Sequence, residues 1–282
     1  LTADATHFVN CEGNISIRNS TFMNQMDDAT NIHGVYFKVN HIISNKEIIL
    51  KISHYQQFGF AGLTAGKSIE FVNPLSLTTV ADNKIKSVNY LNKEYVKVLL
   101  ENPLSPNIDN TSVVCLKNNQ PNVLIHNCTI MNNRARGMLL GSRAKIEISN
   151  NYFHTHCSAI HMEGDANFWF EQAGVRNLLI KNNVFDNCNY SSLFGTGVIT
   201  VGAGISEMYR NVDYYNKNIL IEDNIFKIKN NCILNIYCVD KLIFQKNKIE
   251  RINVENTNSP VLYNIPNENF IIKNSKNISI SE

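Results

Sequence analysis

The segment RNLLIKNNVF (176–185) indicates the architecture of the chain, because close variants of it recur from one end to the other. In each copy apolar residues alternate with polar ones, a corner rich in asparagine follows, and a large apolar residue comes next. The other copies are GNISIRNSTF (13–22), PNVLIHNCTI (121–130), AKIEISNNYF (144–153), KNILIEDNIF (217–226) and DKLIFQKNKI (240–249). Alternation with a period of two predicts strands with one buried face.

The spacing of these copies predicts a stacked solenoid. Their first inward residues are Ile15, Val123, Ile146, Leu178, Ile219 and Leu242, so that successive copies lie 108, 23, 32, 41 and 23 residues apart. A unit of 23 residues has no room for a helix of about ten residues beside its strands, which favours a parallel β-helix over leucine-rich repeats and propellers. The longer steps predict insertions.

Two further patterns support the solenoid. Small residues followed by alternating apolar ones form a second strand column, so we expect at least two sheets; its members are GMLLGS (137–142), AIHMEG (159–164), GVITVG (197–202) and CILNIY (232–237). Asparagine tolerates the backbone of a sharp corner and can bond to its neighbour along the stack. We predict structural columns at Asn19, Asn127, Asn150 and Asn182, and at Asn151, Asn183, Asn224 and Asn247.

The step of 108 residues holds a separate module. Five or six strand-like runs joined by Asn, Gly, Lys and Pro turns predict an antiparallel barrel or sandwich. The expected division is therefore first β-helix coils at 1–40, an inserted antiparallel β-barrel at 41–112, and the β-helix continuation at 113–282. Within the insertion, His54, Tyr55 and Phe58 could touch a sugar, although ordinary packing explains them as well.

Composition narrows the function. The 282 residues are 44% hydrophobic and 18% charged with a net charge of +2, which gives no indication of nucleic-acid binding, and no apolar run approaches the roughly 20 residues of a membrane span. The seven Cys residues include no CxxC pair, so buried free thiols are expected rather than a zinc site or a disulfide framework. The two ends of the sequence suggest an excerpt of a longer protein or a truncated one. The sequence gives no indication of the oligomeric state.

Three carboxylates are the candidate catalytic groups. Asp4 lies 23 and 24 residues before Asp27 and Asp28, so one coil of the solenoid would bring them together. Inverting hydrolysis of a glycosidic bond needs one protonated carboxyl group and one carboxylate base, roughly 6.5 to 9.5 Å apart. A calcium site or a solvated turn is the alternative explanation of this acidic group.

Other polar residues extend the predicted site. Arg136 and Asp28 each lie nine residues after a corner asparagine, so they should stack on successive coils. The stretch HMEGDANFWFEQAG (161–174) places the single Trp among acidic residues, a combination that suits sugars. The histidines, including His7, His33, His154, His156 and His161, lack HExxH or related spacing, so metal-dependent hydrolysis is not expected.

Three long segments resemble a known family. DATHFVNCEGNISIRNSTFMNQMDDATNIHGVY (4–36), RARGMLLGSR (134–143) and MEGDANFWFEQAGVRNLLIKNNVFDNC (162–188) are similar to glycoside hydrolase family 110, the bacterial exo-acting α-1,3-galactosidases that remove terminal galactose from blood-group-B-type and related glycans. The resemblance implies an inverting hydrolase without metal or cofactor, on a right-handed parallel β-helix with an inserted β-barrel.

The resemblance also implies roles for individual residues. Asp27 would be the general acid, and Asp4 and Asp28 would position and deprotonate the water. Arg136, Glu163, Asp165 and Trp169 would line the galactose pocket. A glycan substrate suggests the periplasm or the cell surface.

Two alternatives remain open. A polygalacturonase-like β-helical hydrolase also uses three aspartates, but its characteristic basic RIK-type motif is missing after the HG at 33–34. A non-catalytic, glycan-binding β-helix adhesin would share the repeat without needing clustered acids.

Overall fold

Parallel strands stacked in three sheets form a solenoid in the computed structural model, which describes residues 2–191, 194–229, 232–252 and 268–281. Each coil contributes one strand to each sheet, except the last, whose described residues form strands of the first two sheets only. The first sheet contains Thr6–Val9, Thr30–Val35, Met138–Leu140, Ile160–Met162, Ile199–Val201, Leu234–Tyr237 and Phe270–Lys273. A short strand, Glu171–Gln172, pairs with Thr30–Val35 in the antiparallel direction.

The recurring sequence segments form the other two sheets. The second sheet contains Asn14–Arg18, Asn122–His126, Lys145–Ser149, Asn177–Lys181, Asn216–Glu222, Val239–Gln245 and Lys276–Ile280. The third contains Thr21–Met23, Thr129–Met131, Tyr152–His154, Val184–Asp186, Ile225–Ile228 and Lys248–Arg251. The expectation of at least two sheets is met by three.

The core lies inside the coils. Apolar residues predicted to point inward, such as Ile125, Ile148 and Ile180, are fully buried. The large apolar residue after each corner also stacks, because the rings of Phe153, Phe185 and Phe226 follow one another with centroid separations of 5.0 and 4.7 Å. Each coil therefore covers its neighbour, and aromatic stacking adds to the burial of apolar surface.

Both predicted asparagine columns exist, and they do different work. Asn19, Asn127, Asn150 and Asn182 have φ between 49° and 57°, the left-handed backbone of the corner. The other column is a buried ladder in which the side-chain amides of Asn151, Asn183 and Asn224 each donate to the next asparagine, ending at Asn247, at 2.9 Å per step. The ladder satisfies polar groups that burial would otherwise leave unpaired.

The inserted module is a closed antiparallel barrel. Its strands, in order around the barrel, are Val113–Leu116, Phe37–Ser44, Glu47–Lys51, Tyr95–Leu100, Thr79–Tyr90 and Ser68–Val72. They extend slightly to either side of the predicted range 41–112. The predicted fold class, a right-handed parallel β-helix with an inserted small antiparallel β-barrel, is confirmed.

The barrel leaves the solenoid in the second coil. The first-sheet strand Thr30–Val35 leads directly into the barrel strand Phe37–Ser44, and the chain returns to the second sheet at Asn122. A 3₁₀ turn of the barrel, Tyr55–Gln57, reaches back to the solenoid, where the Gln57 side chain donates to the Trp169 carbonyl at 2.9 Å. A second 3₁₀ turn is Glu207–Tyr209.

Two predictions from composition concern the cysteines and membrane-spanning segments. None of the seven cysteines forms a disulfide, and every one except the half-buried Cys11 is buried, as predicted. Across the ranges that the structure describes, no helix combines the length and the apolar character that crossing a bilayer would need.

Candidate active site

A cavity of about 520 Å³ opens where the barrel meets the first sheet. All seven residues predicted for the site line it: Asp4, Asp27, Asp28, Arg136, Glu163, Asp165 and Trp169. Ligand sites are usually concave and of this size. The cavity therefore brings together residues from the first four coils and the loop before Glu171–Gln172.

Strand register explains why the acids meet. Thr6 pairs with Thr30, and Thr30 pairs with Met138, so positions 4, 28 and 136 stack on successive coils. The Asp28 backbone N–H donates to Asp4 Oδ1 at 3.1 Å. One carboxylate oxygen from each of Asp4, Asp27 and Asp28 lies within 4.8 Å of the others. The predicted stacking of the aspartates and Arg136 is confirmed.

Asp28 forms a buried ion pair with Arg136. Its carboxylate is 1% exposed and accepts from the Arg136 guanidinium at Nε (3.0 Å) and Nη2 (2.9 Å), and from the Arg136 backbone N–H at 2.9 Å. Burial raises the pKa of Asp28, while the guanidinium acts against that shift. Bidentate pairing with Arg fixes both the position and the orientation of a carboxylate. The Asp28–Arg136 pair is therefore suited to anchoring the site rather than to exchanging protons.

Asp27 differs from its neighbour. It is half-buried, and among the described residues its carboxylate makes no hydrogen bond or ion pair, although its backbone carbonyl accepts from Asn133 at 3.3 Å. A carboxyl group that faces a cavity without a protein partner is available to a ligand. This is the geometry that a proton donor to a leaving group requires.

Asp4 is held by two donors. Its Oδ1 accepts from the Asp28 backbone, and its Oδ2 lies 3.0 Å from His7 Nδ1. The hydrogen bond to Asp4 raises the pKa of His7. The other ring nitrogen, His7 Nε2, lies 2.7 Å from His33 Nε2. Burial lowers the pKa of His33 to about 4, so His33 is neutral near pH 7.

Glu171 lies next to this histidine pair. Its Oε1 is 3.6 Å from His33 Nε2, and its side chain is 16% exposed. Burial raises the pKa of Glu171 to about 7. Glu163, directly after the first-sheet strand Ile160–Met162, behaves in the opposite way, because its contact with His161 at 3.2 Å lowers its pKa.

Asp165 and Trp169 form a turn at the rim. Asp165 Oδ1 accepts from the backbone N–H groups of Asn167, Phe168 and Trp169 at 2.9, 2.6 and 3.1 Å, so this carboxylate orders the loop. Trp169 is 45% exposed, and its ring centroid lies 4.7 Å from that of His54 on the barrel. Both residues line the cavity, and their predicted contact with galactose stays a prediction.

Sequence reasoning missed part of the cavity wall. The structure adds His7, Asn31, Gln56, Leu139, Glu171 and Phe194 to the lining. Glu171 stands in the stretch that was singled out for its Trp, so proximity to Trp169 was an available signal. Gln56 had none, because the barrel turn approaches the first sheet only through tertiary folding.

The acidic cluster is poorly suited to a cation. Three carboxylates converge, but Arg136 already supplies the positive charge and occupies both oxygens of Asp28. A calcium ion needs six to eight oxygen ligands at 2.3 to 2.6 Å. The arrangement can instead bind a neutral, hydroxyl-rich molecule between proton donors and acceptors.

Fold and cavity together place the chain among parallel β-helix proteins that carry an inserted barrel and an acidic cavity with aromatic rings at its rim. The family model for "GLAA-B beta-barrel domain II" matches residues 47–114, which lie within the inserted barrel. Named relatives extend the similarity through the solenoid.

The relatives are α-1,3-galactosidases. Alpha-1,3-galactosidase A of Shewanella woodyi is 33% identical over 88% of this chain and 40% of its own length. Alpha-1,3-galactosidase B of Phocaeicola vulgatus is 31% identical over 99% of this chain and 48% of its own, and that of Akkermansia muciniphila is 31% identical over 88% and 31%. The predicted resemblance to family 110 is confirmed, and the chain spans about half the length, or less, of these curated relatives.

Among solved structures, a tailspike of an Acinetobacter baumannii bacteriophage in complex with a capsular saccharide covers 85% of this chain and 58% of its own. The identity is 11% and the TM-score is 0.19, so this likeness carries no argument.

Proposed function

We propose that this protein is a glycoside hydrolase that removes terminal α-1,3-linked galactose from glycans of the blood-group-B type or from linear chains, acting from the chain end. The observation that carries the proposal is the convergence of Asp4, Asp27 and Asp28 in one cavity, in three different environments. The similarity to α-1,3-galactosidases supports the same substrate class.

In the proposed reaction, Asp27 is the general acid. It has no protein partner within the described residues, so its proton can pass to the glycosidic oxygen as the bond to galactose breaks. Asp4 accepts the proton of the attacking water, because the Asp28 amide and His7 hold its carboxylate in place. Asp28 and Arg136 anchor the base. Galactose and the shortened glycan leave without any covalent intermediate.

Substrate contacts follow from the same cavity. Trp169 offers an exposed aromatic face on which the apolar side of a pyranose can pack, and Glu163 and Arg136 offer charged hydrogen-bonding groups to hydroxyls. Asp165 supports this surface by ordering the loop that carries Trp169. The barrel turn with Gln56 closes one side and limits how far the glycan extends, which favours action on chain ends.

Inversion of configuration is part of the proposal, and the spacing of the acids makes its test necessary. The nearest carboxylate oxygens lie within 4.8 Å, whereas inverting enzymes typically separate their two carboxyl groups by about 6.5 to 9.5 Å and retaining ones by about 5 to 5.5 Å. Proton NMR during hydrolysis of the B trisaccharide and of a linear α-1,3 disaccharide should show β-galactose first. Initial release of the α-anomer would contradict inversion.

Replacement of the acid tests the catalytic assignment. Asp27→Asn removes the transferable proton but keeps the shape of the side chain, so galactose release should fall by at least about a hundredfold with little change in melting temperature. The matched control is Asp223→Asn, at an exposed corner away from the cavity, which should retain normal turnover. Full turnover in Asp27→Asn would reject Asp27 as the general acid, whereas no galactose release by the unaltered protein would support the adhesin alternative.

A glycan substrate also bears on location. We propose a periplasmic or cell-surface site for the protein, where terminal galactose on host or bacterial glycans is encountered. Fractionation of the producing cells, with detection in the cytoplasm alone as the opposing result, tests this proposal.

A further inference from the structure

Three side chains beside the acidic cluster hold atoms that could bind a metal ion close to one another. His7 Nε2, His33 Nε2 and a carboxylate oxygen of Glu171 all lie within 4.8 Å of each other. The two histidines come from adjacent strands of the first sheet, and Glu171 comes from the short antiparallel strand that pairs with Thr30–Val35. The group opens on the cavity through His7 and Glu171.

The other ring nitrogen of each histidine, Nδ1, contacts an oxygen acceptor. His33 Nδ1 donates to the Gly34 carbonyl at 2.7 Å, and His7 Nδ1 lies 3.0 Å from the Asp4 carboxylate. Histidines that bind metals almost always donate their other N–H in this way, to a backbone carbonyl or a carboxylate, because the contact fixes the ring and its tautomer. Both Nε2 atoms are thereby oriented toward the common centre.

The centre lacks a positive charge when the histidines are neutral. With Nδ1 protonated on both rings, each Nε2 carries a lone pair, yet the two atoms face each other at 2.7 Å. Within the described residues, the Glu171 carboxylate also accepts no hydrogen bond, and the nearest ring nitrogen, Nε2 of the neutral His33, lies 3.6 Å away. Arg136, the nearby guanidinium, is paired with Asp28. A proton between the two Nε2 atoms, a proton on Glu171 directed at His33, or a bound cation can join these acceptors.

We propose that His7, His33 and Glu171 form a binding site for a divalent transition-metal ion of the Zn²⁺ class. Two imidazoles and one carboxylate are a donor set that Zn²⁺ uses, with the fourth position left open, here toward the cavity. Ligands at about 2.0 to 2.1 Å in a tetrahedron lie roughly 3.3 Å apart, so His7 must withdraw slightly. His7 can do so because its side chain is 44% exposed.

The donor set also determines which ions are excluded. Imidazole nitrogen suits Zn²⁺, Ni²⁺ and Cu²⁺, whereas Ca²⁺ and Mg²⁺ prefer oxygen ligands. The inference goes beyond the proposed hydrolysis and does not depend on it. An ion at this position would sit next to Asp4 and the sugar-sized cavity.

The test measures metal binding directly. Protein without a histidine tag is stripped with EDTA, dialysed and titrated with Zn²⁺ by calorimetry, with Ca²⁺ as the comparison ion. One equivalent of Zn²⁺ should bind, and Ca²⁺ should not. His7→Gln and Glu171→Gln should each weaken Zn²⁺ binding by at least about tenfold. His7 is exposed enough for its variant to fold, which circular dichroism confirms.

Control variants distinguish rival sites. His156→Gln alters a half-buried imidazole near Tyr190, outside the cavity, and should keep full Zn²⁺ binding. Binding that survives in both His7→Gln and Glu171→Gln, or that is lost only in His156→Gln or Asp27→Asn, overturns the proposal, and so does the absence of binding in the unaltered protein. No glycan is present in these titrations, so an inactive galactosidase would leave their result intact.

Discussion

The three aspartates of the cavity show how one residue type acquires different properties from its surroundings. Asp28 is buried against a guanidinium, Asp4 is held by a backbone amide and an imidazole, and Asp27 keeps its carboxylate free of protein partners among the described residues. Separation of acid and base roles requires such differences, since identical carboxylates in identical surroundings would titrate alike.

Glu171 makes stability depend on pH. Burial raises its pKa from 4.5 to about 7, so its contribution to stability is fully present below pH 4.5 and is lost as the pH rises through 7. Glu171→Gln removes this ionisation. We expect the variant to gain stability relative to the unaltered protein between pH 4.5 and 8, by up to about 3 kcal/mol.

Denaturant unfolding at several pH values, in the presence of EDTA, measures this difference. Glu207→Gln, on an exposed turn, is the control and should follow the unaltered protein at every pH. A stability difference for Glu171→Gln that stays constant across the pH range would contradict the assignment.

At the scale of elements, the asparagine ladder ties the second and third sheets together inside the stack. Asn183 donates to the Ile148 carbonyl and to Asn224, and it accepts from both the backbone and the side chain of Asn151. Each rung therefore satisfies backbone groups on two neighbouring coils. Buried polar groups without partners would be destabilising, but in the ladder they bond to one another and connect neighbouring coils.

Removal of one rung should lower the free energy of unfolding markedly. Asn183→Ala leaves the buried Asn151 amide and the Ile148 carbonyl without their partner, so we expect a loss of about 2 to 4 kcal/mol in the free energy of unfolding. Asn177→Ala, at the exposed start of the strand in the same coil, should change stability little. Equal effects of the two substitutions in denaturant unfolding would show that the ladder contributes no more than an exposed asparagine.

At the scale of the whole molecule, the junction between barrel and solenoid holds the cavity in shape. Glu70 on a barrel strand pairs with Arg143 of the third coil at 2.8 Å, and both line a second cavity of about 110 Å³ with Tyr36 and Tyr215. Their side chains are 8% and 20% exposed. Truncation of one partner of a buried ion pair leaves a charge without compensation, which costs more than loss of an exposed pair.

Arg143→Met should therefore weaken the junction by about 3 to 5 kcal/mol, and the double variant Glu70→Gln/Arg143→Met should recover most of the loss. Trp169 is the only Trp, and it contacts the barrel through His54, so its fluorescence reports on the junction. The control is Lys84→Met, which removes an exposed ion pair with Glu101 on the surface of the barrel module. We expect it to have little effect. No recovery in the double variant would mean that packing, rather than charge, decides the loss.

Residue spacing alone was enough to predict the solenoid and the stacking of its acidic residues. A repeat near 23 residues fixes which positions stack, so that Asp4, Asp28 and Arg136 fall on successive coils by counting alone. The same counting located both asparagine columns, because corners recur with the strands. These features depend on neighbouring coils and on backbone geometry that asparagine favours.

How the cavity is closed and how its charges are balanced could not be predicted from residue spacing and is apparent only in the folded chain. The barrel turn with Gln56, the contact of Trp169 with His54, and the approach of Glu171 to His7 and His33 join segments that no repeat relates. The same holds for Asp165, whose carboxylate the structure turns toward its own loop. Burial and partner geometry set these properties, and both depend on the packing of the inserted barrel against the coils rather than on residue spacing.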